Sequence, residues 1–494
     1  MVHRSPIIVL GGLFILGSVL VAAPVHGDEV DDYVRATMKE QKIPGLSIAI
    51  VRDREPVRVQ GYGLANIELE VPVTRDTIFQ TGSVGKQFTA AGILLLAEDG
   101  NLKLDDPLAL HFPSAPATWH PITIRHLLTH TSGLKDYGEE EIDFRRDYTE
   151  KELLEIAWKV PLEFEPGTQW SYSNTGYMVL GILTSKLAGM HWSKFQKQRI
   201  FEPLGMATAR VISESDIVEN RADGYEKNEE GELQNQEWVA PALNTLADGA
   251  VYVTARDMVA WDAALRERKL LSEASYDEWW TPVSLGDGIT FPYGFGWSLN
   301  EQRGRRLIEH GGSWQGFRAA IARYVEDGLT VVVLANAAGT PTEAIAHEIA
   351  GIVDDDLRLP DPDTPGDDPD PQRTARLEGV LKAWSEWRTT PDMGRGLAAT
   401  ASGSVRESYG RWRTGDQLAK MKSFSWLADD DLSSRPMELR GETVTRIVHY
   451  VLATLDARRV YRFYLTADGK VADFGSERRS LTAPGLADMQ PLAN

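Results

Sequence analysis

Phe79-Gln80-Thr81-Gly82-Ser83-Val84-Gly85-Lys86-Gln87-Phe88 is the stretch on which the reading of this chain turns. A serine hydroxyl is a poor nucleophile near neutrality and needs a base within hydrogen-bond reach. Residues three apart on a helix share a face, so Ser83 and Lys86 can meet. The apolar run that follows, closed by Gly100, predicts a helix over 83–98 with Ser83 at its start. Unpaired backbone N–H groups and the positive end of the helix dipole favour negative charge there. Alone, the tetrapeptide equally describes an N-capping serine and a surface lysine.

Two distant segments give it weight. One is Glu165-Pro166-Gly167-Thr168-Gln169-Trp170-Ser171-Tyr172-Ser173-Asn174-Thr175-Gly176-Tyr177, the other Glu309-His310-Gly311-Gly312-Ser313-Trp314-Gln315-Gly316. In this order the three resemble the motifs of the penicillin-binding-protein and serine β-lactamase superfamily, in the branch of class C β-lactamases, D-alanyl-D-alanine carboxypeptidases and related esterases and aminopeptidases. Tyr172-Ser173-Asn174 matches the Tyr-x-Asn motif, and His310-Gly311-Gly312 stands where the Lys-Thr-Gly motif falls. Leu127-Leu128-Thr129-His130-Thr131-Ser132-Gly133-Leu134 and Tyr293-Gly294-Phe295-Gly296-Trp297 fit the same family.

The resemblance implies an α/β fold class: a β-lactamase-like fold with an antiparallel sheet flanked by helices and a helical subdomain. It implies that Ser83 attacks a carbonyl and forms an acyl-enzyme. Lys86 and Tyr172 then move the proton, with Tyr172 a base only if nearby cations lower its pKa. Asn174 orients Lys86 and meets the substrate, and backbone N–H groups of Ser83 and Ser313 hold the oxyanion. His310 lines the opposite wall, touching a substrate carboxylate or relaying protons to Tyr172. Gly311 and Gly312 let a strand edge approach the acyl group. Histidine in place of lysine argues against efficient β-lactam hydrolysis, because an imidazole is only partly charged near neutrality. The implied substrate is a small molecule or peptide with a peptide, ester or β-lactam-type carbonyl, a peptidase or esterase being favoured. The competing reading is a catalytically silent binding protein on the same fold. The resemblance implies no cofactor.

His126 and His130 are spaced i, i+4 on an expected helix, as zinc ligands are. Residue 127 is Leu, so the His-Glu-x-x-His pattern fails and structural histidines are expected. Trp314, Phe295 and Trp297 read as pocket wall or as core, Tyr225 as bordering the cleft, and the Trp279–Trp280 pair as packing.

The whole chain frames this site. It has 494 residues, which predicts more than one domain. Its net charge of -20 argues against a nucleic-acid partner. It has no cysteine, so disulfides, thiol nucleophiles and Cys-ligated metals are excluded. Residues 1–27, with Arg4 before the apolar run Ile7 to Val21, read as an export signal and predict a secreted or periplasmic protein. A membrane is a partner only if that segment stays uncleaved. Residues 28–353 then form the hydrolase domain, in which Ser47 to Val51 and Leu329 to Leu334 read as strands and Thr342 to Val353 as a closing helix. Residues 354–372 alternate acid and proline and predict an extended, exposed linker. Residues 373–494 read as a small α+β C-terminal domain: a helix over 373–388 with Trp384 and Trp387, then strands with a hairpin at Asp468-Gly469. His449 in that domain reads as structural.

Overall fold

Ser47-Ile48-Ala49-Ile50-Val51 forms a strand because both of its faces are covered. Ile48 and Ile50 pack with Val331 and Val333 in one core, whereas Ala49 packs with Val332 and Leu334 in the other. A strand buried on both sides reads as a continuous apolar run rather than an alternating one. The computed structural model describes residues 27–479 except 139, 214–215, 387, 403–417 and 455–457. Apart from Gly27, the expected export segment lies outside the described residues. Among these residues no helix is long and apolar enough to cross a membrane.

The main sheet has seven strands, in the order Ser298–Gln302, Arg305–Trp314, Phe317–Tyr324, Leu329–Ala335, Gly45–Arg52, Glu55–Asn66 and Val71–Pro72. All its neighbours are antiparallel. The first strand therefore pairs with the last, Ile48 opposite Val333. The turn between Gly45–Arg52 and Glu55–Asn66 places Asp53 and Arg54 at φ of 50° and 77°, the twist a tight hairpin needs. Helices Gly27–Gln41 and Thr342–Val353 cover one face through Val30, Val34, Ile345 and Ile349. The other face meets the helical part of the molecule, with Phe88 and Trp261 at its centre.

The helix expected over 83–98 starts later. Gly82–Gly85 is a single 3₁₀ turn, and the α-helix runs Lys86–Glu98. The cause is crowding: a Cβ on Gly82, which has φ +52°, would stand 2.4 Å from the Ser313 nitrogen. The backbone must turn sharply to pass that strand before the helix can begin. His130 also departs from expectation. The helix ends at Leu128, and His130 lies beyond it at φ 59°, so the i, i+4 pairing with His126 is lost.

The acidic segment 354–372 is tied down more than its composition suggests. Leu357 is fully buried in the core beside Ile349, and Asp363 pairs with Arg458 at 2.5 Å. A leucine after three aspartates is enough to anchor it. The following helix runs Pro371–Ser385, with Asp370 as N-cap and proline in the first turn; Trp387 lies outside the described residues. Its Leu377, Val380 and Leu381 pack on Val448, Tyr450 and Phe463 of a second antiparallel sheet. That sheet is ordered Ser423–Asp431, Glu442–Ala453, Arg458–Thr466 and Val471–Arg479, with Met437–Leu439 also paired to Glu442–Ala453. His449 is buried there and bonded to Asp430 at 2.8 Å.

One buried ionic group fastens the helix Ala255–Arg266 to the main sheet. Asp262 accepts from Arg266 at 2.6 Å, Arg323 at 2.9 Å and Thr330 at 2.8 Å. Asp262 and Arg323 are almost wholly buried. Removing one member strands the opposite charge, which costs about 3–5 kcal/mol. Asp262→Ala should lower the denaturation midpoint accordingly; a loss below about 1 kcal/mol would contradict the assignment.

Candidate active site

Lys86 stands at the centre of the helical part, where the helix Lys86–Glu98 is buried along nearly its whole length. Its ammonium donates to Ser83 Oγ at 3.0 Å, Asn174 Oδ1 at 2.7 Å and the Asp248 carbonyl at 2.7 Å. Burial drives its pKa down to about 8, against the opposing pull of the Asp248 and Asp136 carboxylates. Such a lysine exchanges its proton near neutrality, which a surface lysine does not.

Asn174 is the first residue of the helix Asn174–Ala188, whose N-cap Ser173 accepts from the Gly176 N–H. Its backbone N–H donates to Asp136 Oδ1 at 2.7 Å and its side-chain amide to Asp136 Oδ2 at 3.0 Å. Asp136 thereby turns the Asn174 oxygen toward Lys86. Burial pushes the Asp136 pKa up to about 6, partly offset by the Asn174 N–H and Lys86. Asp248 accepts from the Tyr137 hydroxyl at 2.7 Å.

Tyr172 holds its ring over Lys86, with Nζ 4.9 Å from the centroid. Its hydroxyl is buried and makes no well-aligned hydrogen bond among the described residues. Burial raises its pKa well above the ordinary tyrosine value, although closeness to Ser83 works the other way. The Asp136 and Asp248 carboxylates raise it too, so the condition under which Tyr172 would be a base at rest is not met.

The opposite wall is the strand Arg305–Trp314. Gly312 passes so near the serine turn that a Cβ on it would fall 1.9 Å from the Thr81 carbonyl oxygen. Ser313 is exposed beside that turn, and Ser83, His310, Gly311 and Ser313 line one cleft of about 500 Å³. Arg318 and Glu343 stand on the same wall.

His310 departs from expectation. Burial pulls its pKa down to about 4, with Lys86 adding to the effect and the Gly311 carbonyl opposing it. Its Nε2 pairs with the Tyr293 hydroxyl at 2.9 Å, and Tyr293 pairs in turn with His130 Nε2 at 3.2 Å. His130 Nδ1 accepts the Ser173 N–H at 3.1 Å. Donor directions follow by elimination. His130 carries its proton on Nε2 and donates to Tyr293, Tyr293 donates to His310 Nε2, and His310 Nδ1–H donates to the Gly311 carbonyl at 2.5 Å. His310 is therefore neutral, with both nitrogens engaged. It bonds to Tyr293 rather than Tyr172, whose ring centroid is 6.3 Å away.

The structure brings together Ser83, Lys86, Tyr172, Asn174, His310, Gly311, Gly312 and Ser313. It places Phe295 and Trp297 in the core instead. The Trp279–Trp280 pair is packing, its rings stacked at 6.0 Å. Tyr225 is buried away from the cleft, where its hydroxyl accepts the Ile67 N–H at 2.8 Å. Asp136, Asp248, His130 and Tyr293 were not foreseen at the site; the position of Asp136 two residues past the Leu127–Leu134 segment was the signal available. Among the described residues no cluster of three or more His, Asp or Glu is arranged to hold a metal ion.

An antiparallel sheet whose third-motif strand faces a half-buried serine bonded to a buried lysine is the architecture of the serine β-lactamase and penicillin-binding-protein superfamily. The family model described as Beta-lactamase matches residues 30–353, and the chain belongs to that family. Penicillin-binding protein 4* of Bacillus subtilis (strain 168) is 33% identical over 291 residues, 56% of this chain and 64% of its own length. A D-aminopeptidase of Gluconobacter oxydans (strain 621H) is 28% identical over 317 residues, 62% of this chain and 58% of its own length. The chain thus matches less than two thirds of the length of these curated relatives. The solved D-amino acid amidase from Ochrobactrum anthropi SV3 superposes with a TM-score of 0.56 at 26% identity, over 67% of this chain and 97% of its own. An octameric penicillin-binding protein homologue from Pyrococcus abyssi shares the fold over 92% of this chain and 98% of its own, with a TM-score of 0.58 at 24% identity.

The charge balance at Lys86 is open to measurement. Asp248→Asn removes an anion that stabilises the ammonium, so the Lys86 pKa should fall below its value of about 8. Lysine side-chain ¹⁵N NMR across pH 6–10 reads this directly; an unchanged or raised value would refute the account.

Proposed function

We propose that the protein is a serine hydrolase that opens amide or ester bonds through an acyl–Ser83 intermediate. The observation that carries this reading is the 3.0 Å contact between Ser83 Oγ and a buried lysine whose pKa is about 8. At pH 7 roughly one lysine in ten is then a free amine, already aimed at the serine hydroxyl.

The steps follow from the donors present. The Lys86 amine takes the Ser83 proton as Oγ bonds to the carbonyl carbon. Negative charge moves to the carbonyl oxygen, and we place that oxygen against the Ser83 and Ser313 backbone N–H groups. When the tetrahedral adduct collapses, the leaving amine or alkoxide takes a proton delivered from Lys86 through the Tyr172 hydroxyl. A tyrosine with a raised pKa suits a relay that is neutral at both ends of the step, not a resting phenolate. Water repeats the sequence and releases the acid.

Substrate preference follows from the third-motif wall. A neutral His310 lacks the fixed positive charge that a lysine would offer a β-lactam carboxylate, so we favour amides of amino acids or peptides, and esters. The relatives named as D-aminopeptidase and D-amino acid amidase support the amide reading. The N-terminal apolar segment supports export, with the activity residing in residues 28–353.

Ser83→Ala should abolish the fluorophosphonate adduct seen by intact-mass analysis and lower turnover at least ~10³-fold. Retained turnover would mean a different nucleophile. For the unmodified protein, kcat/KM should rise about tenfold per pH unit below pH 8 and level off above it, because the free amine is the active form. His310, whose pKa is about 4, should add no inflection between pH 6 and 7. Nitrocefin turnover exceeding that of D-amino-acid amides would overturn the substrate ranking.

A further inference from the structure

The cleft above Ser83 does not end at the main domain. Trp170, Tyr172 and Phe291 line it, and they also line an adjoining cavity of about 650 Å³. The far wall of that cavity comes from the C-terminal part of the chain, through Trp384, Tyr464 and Phe474. A volume of roughly 300–1,000 Å³ is that of a small-molecule pocket.

The two parts meet through specific contacts. Arg303, in the turn after the edge strand Ser298–Gln302, pairs with Asp430 at 2.5 Å. Arg435 donates to the Gly304 carbonyl at 2.8 Å, and the Arg440 N–H donates to the Thr290 carbonyl at 2.7 Å. The C-terminal sheet is therefore held at a fixed place over the cleft.

The lining chemistry indicates what the cavity takes. Trp170 stacks on Phe291 with centroids 4.0 Å apart, and Trp384 meets Phe474 edge to face at 5.4 Å. Its charged members have partners: Arg440 pairs with Asp473 at 2.8 Å, Lys135 with Glu141 at 2.7 Å, and Asp136 with the Asn174 amide at 3.0 Å. Arg462 acts electrostatically on Glu309. Between these paired charges the cavity presents the aromatic faces of Trp170, Phe291, Trp384 and Phe474, which favour flat apolar groups through burial and ring contacts.

We propose that this cavity is a substrate subsite for an aromatic or similarly bulky apolar group attached to the carbonyl compound at Ser83, and that the C-terminal sheet sets this preference. The inference rests on the hydrolase reading above and deepens it.

Gly475 gives a direct test. It lies on the edge strand Val471–Arg479 opposite Arg462, lines the cavity, and a Cβ built on it meets nothing within 4 Å. Gly475→Trp fills the space without disturbing the serine turn. Three esters are compared in wild type and variant: methyl acetate, methyl phenylacetate with the ring on the acyl side, and benzyl acetate with the ring on the leaving side. For at least one ring-bearing ester, its kcat/KM relative to methyl acetate should fall fivefold or more in the variant, which also shows which side enters the cavity. A smaller change for both, in a variant with wild-type circular dichroism, overturns the subsite. If the tryptophan variant does not fold, Gly475→Leu gives the same comparison. If the wild-type protein forms no Ser83 adduct and turns over none of the three, the hydrolase reading itself fails.

Discussion

Everything at this site depends on a lysine taken out of water. An isolated ammonium in a protein interior is destabilising by several kcal/mol unless its donors are satisfied. Lys86 meets that demand with three oxygens from three separated parts of the chain: Ser83, Asn174 and the Asp248 carbonyl. Burial lowers its pKa, while the nearby carboxylates keep it from falling further. A fully solvated lysine would stay protonated near neutrality, and one without anions nearby would have a lower pKa still. The intermediate position, near 8, leaves the Lys86 nitrogen able to give up or take a proton near neutrality.

The second constraint is backbone approach. The serine turn comes into close contact with the strand Arg305–Trp314. That is possible only where side chains are absent, at Gly82 and Gly312, since a Cβ at either would overlap backbone atoms of the other segment. The hydrogen-bond chain from Ser173 through His130 and Tyr293 to His310 then ties the second-motif turn to the same strand. Its donors all point one way, which fixes both imidazole tautomers and keeps His310 uncharged.

The pairs that chemistry requires were readable from residue order: Ser83 with Lys86, Tyr172 with Asn174, and the glycines after His310. The first and last strands and the closing helix Thr342–Val353 were readable from apolar runs, whereas the pairing of those two strands was not. Other features were not, because they depend on burial rather than on neighbours in sequence. Asp136 and Asp248 are ordinary loop aspartates until folding puts them beside Lys86. His130 looked like the second member of a helical histidine pair until a left-handed residue ended that helix. The charge of His310 was read from its residue type, whereas desolvation decides it. Tyr172 would be a base only if cations lowered its pKa, yet burial and the Asp136 and Asp248 carboxylates raise it.

The C-terminal sheet makes sense in the same terms. Ser298–Gln302 is the edge strand of the main sheet, and uncovered edges pair with other chains. Here Arg435 reaches Glu301 at 3.4 Å, and Gln302 bonds to the Leu357 carbonyl at 3.3 Å, so linker and second sheet together cover that edge. Arg440 meanwhile lies over Phe291, 4.8 Å from its centroid, and Phe291 also lines the cleft above Ser83. Protection of the edge and completion of the cleft wall are thus accomplished by one docking surface. Altering that surface would change the shape of the cavity beside the cleft together with the stability of the strand beneath it, so the two properties cannot be tuned independently.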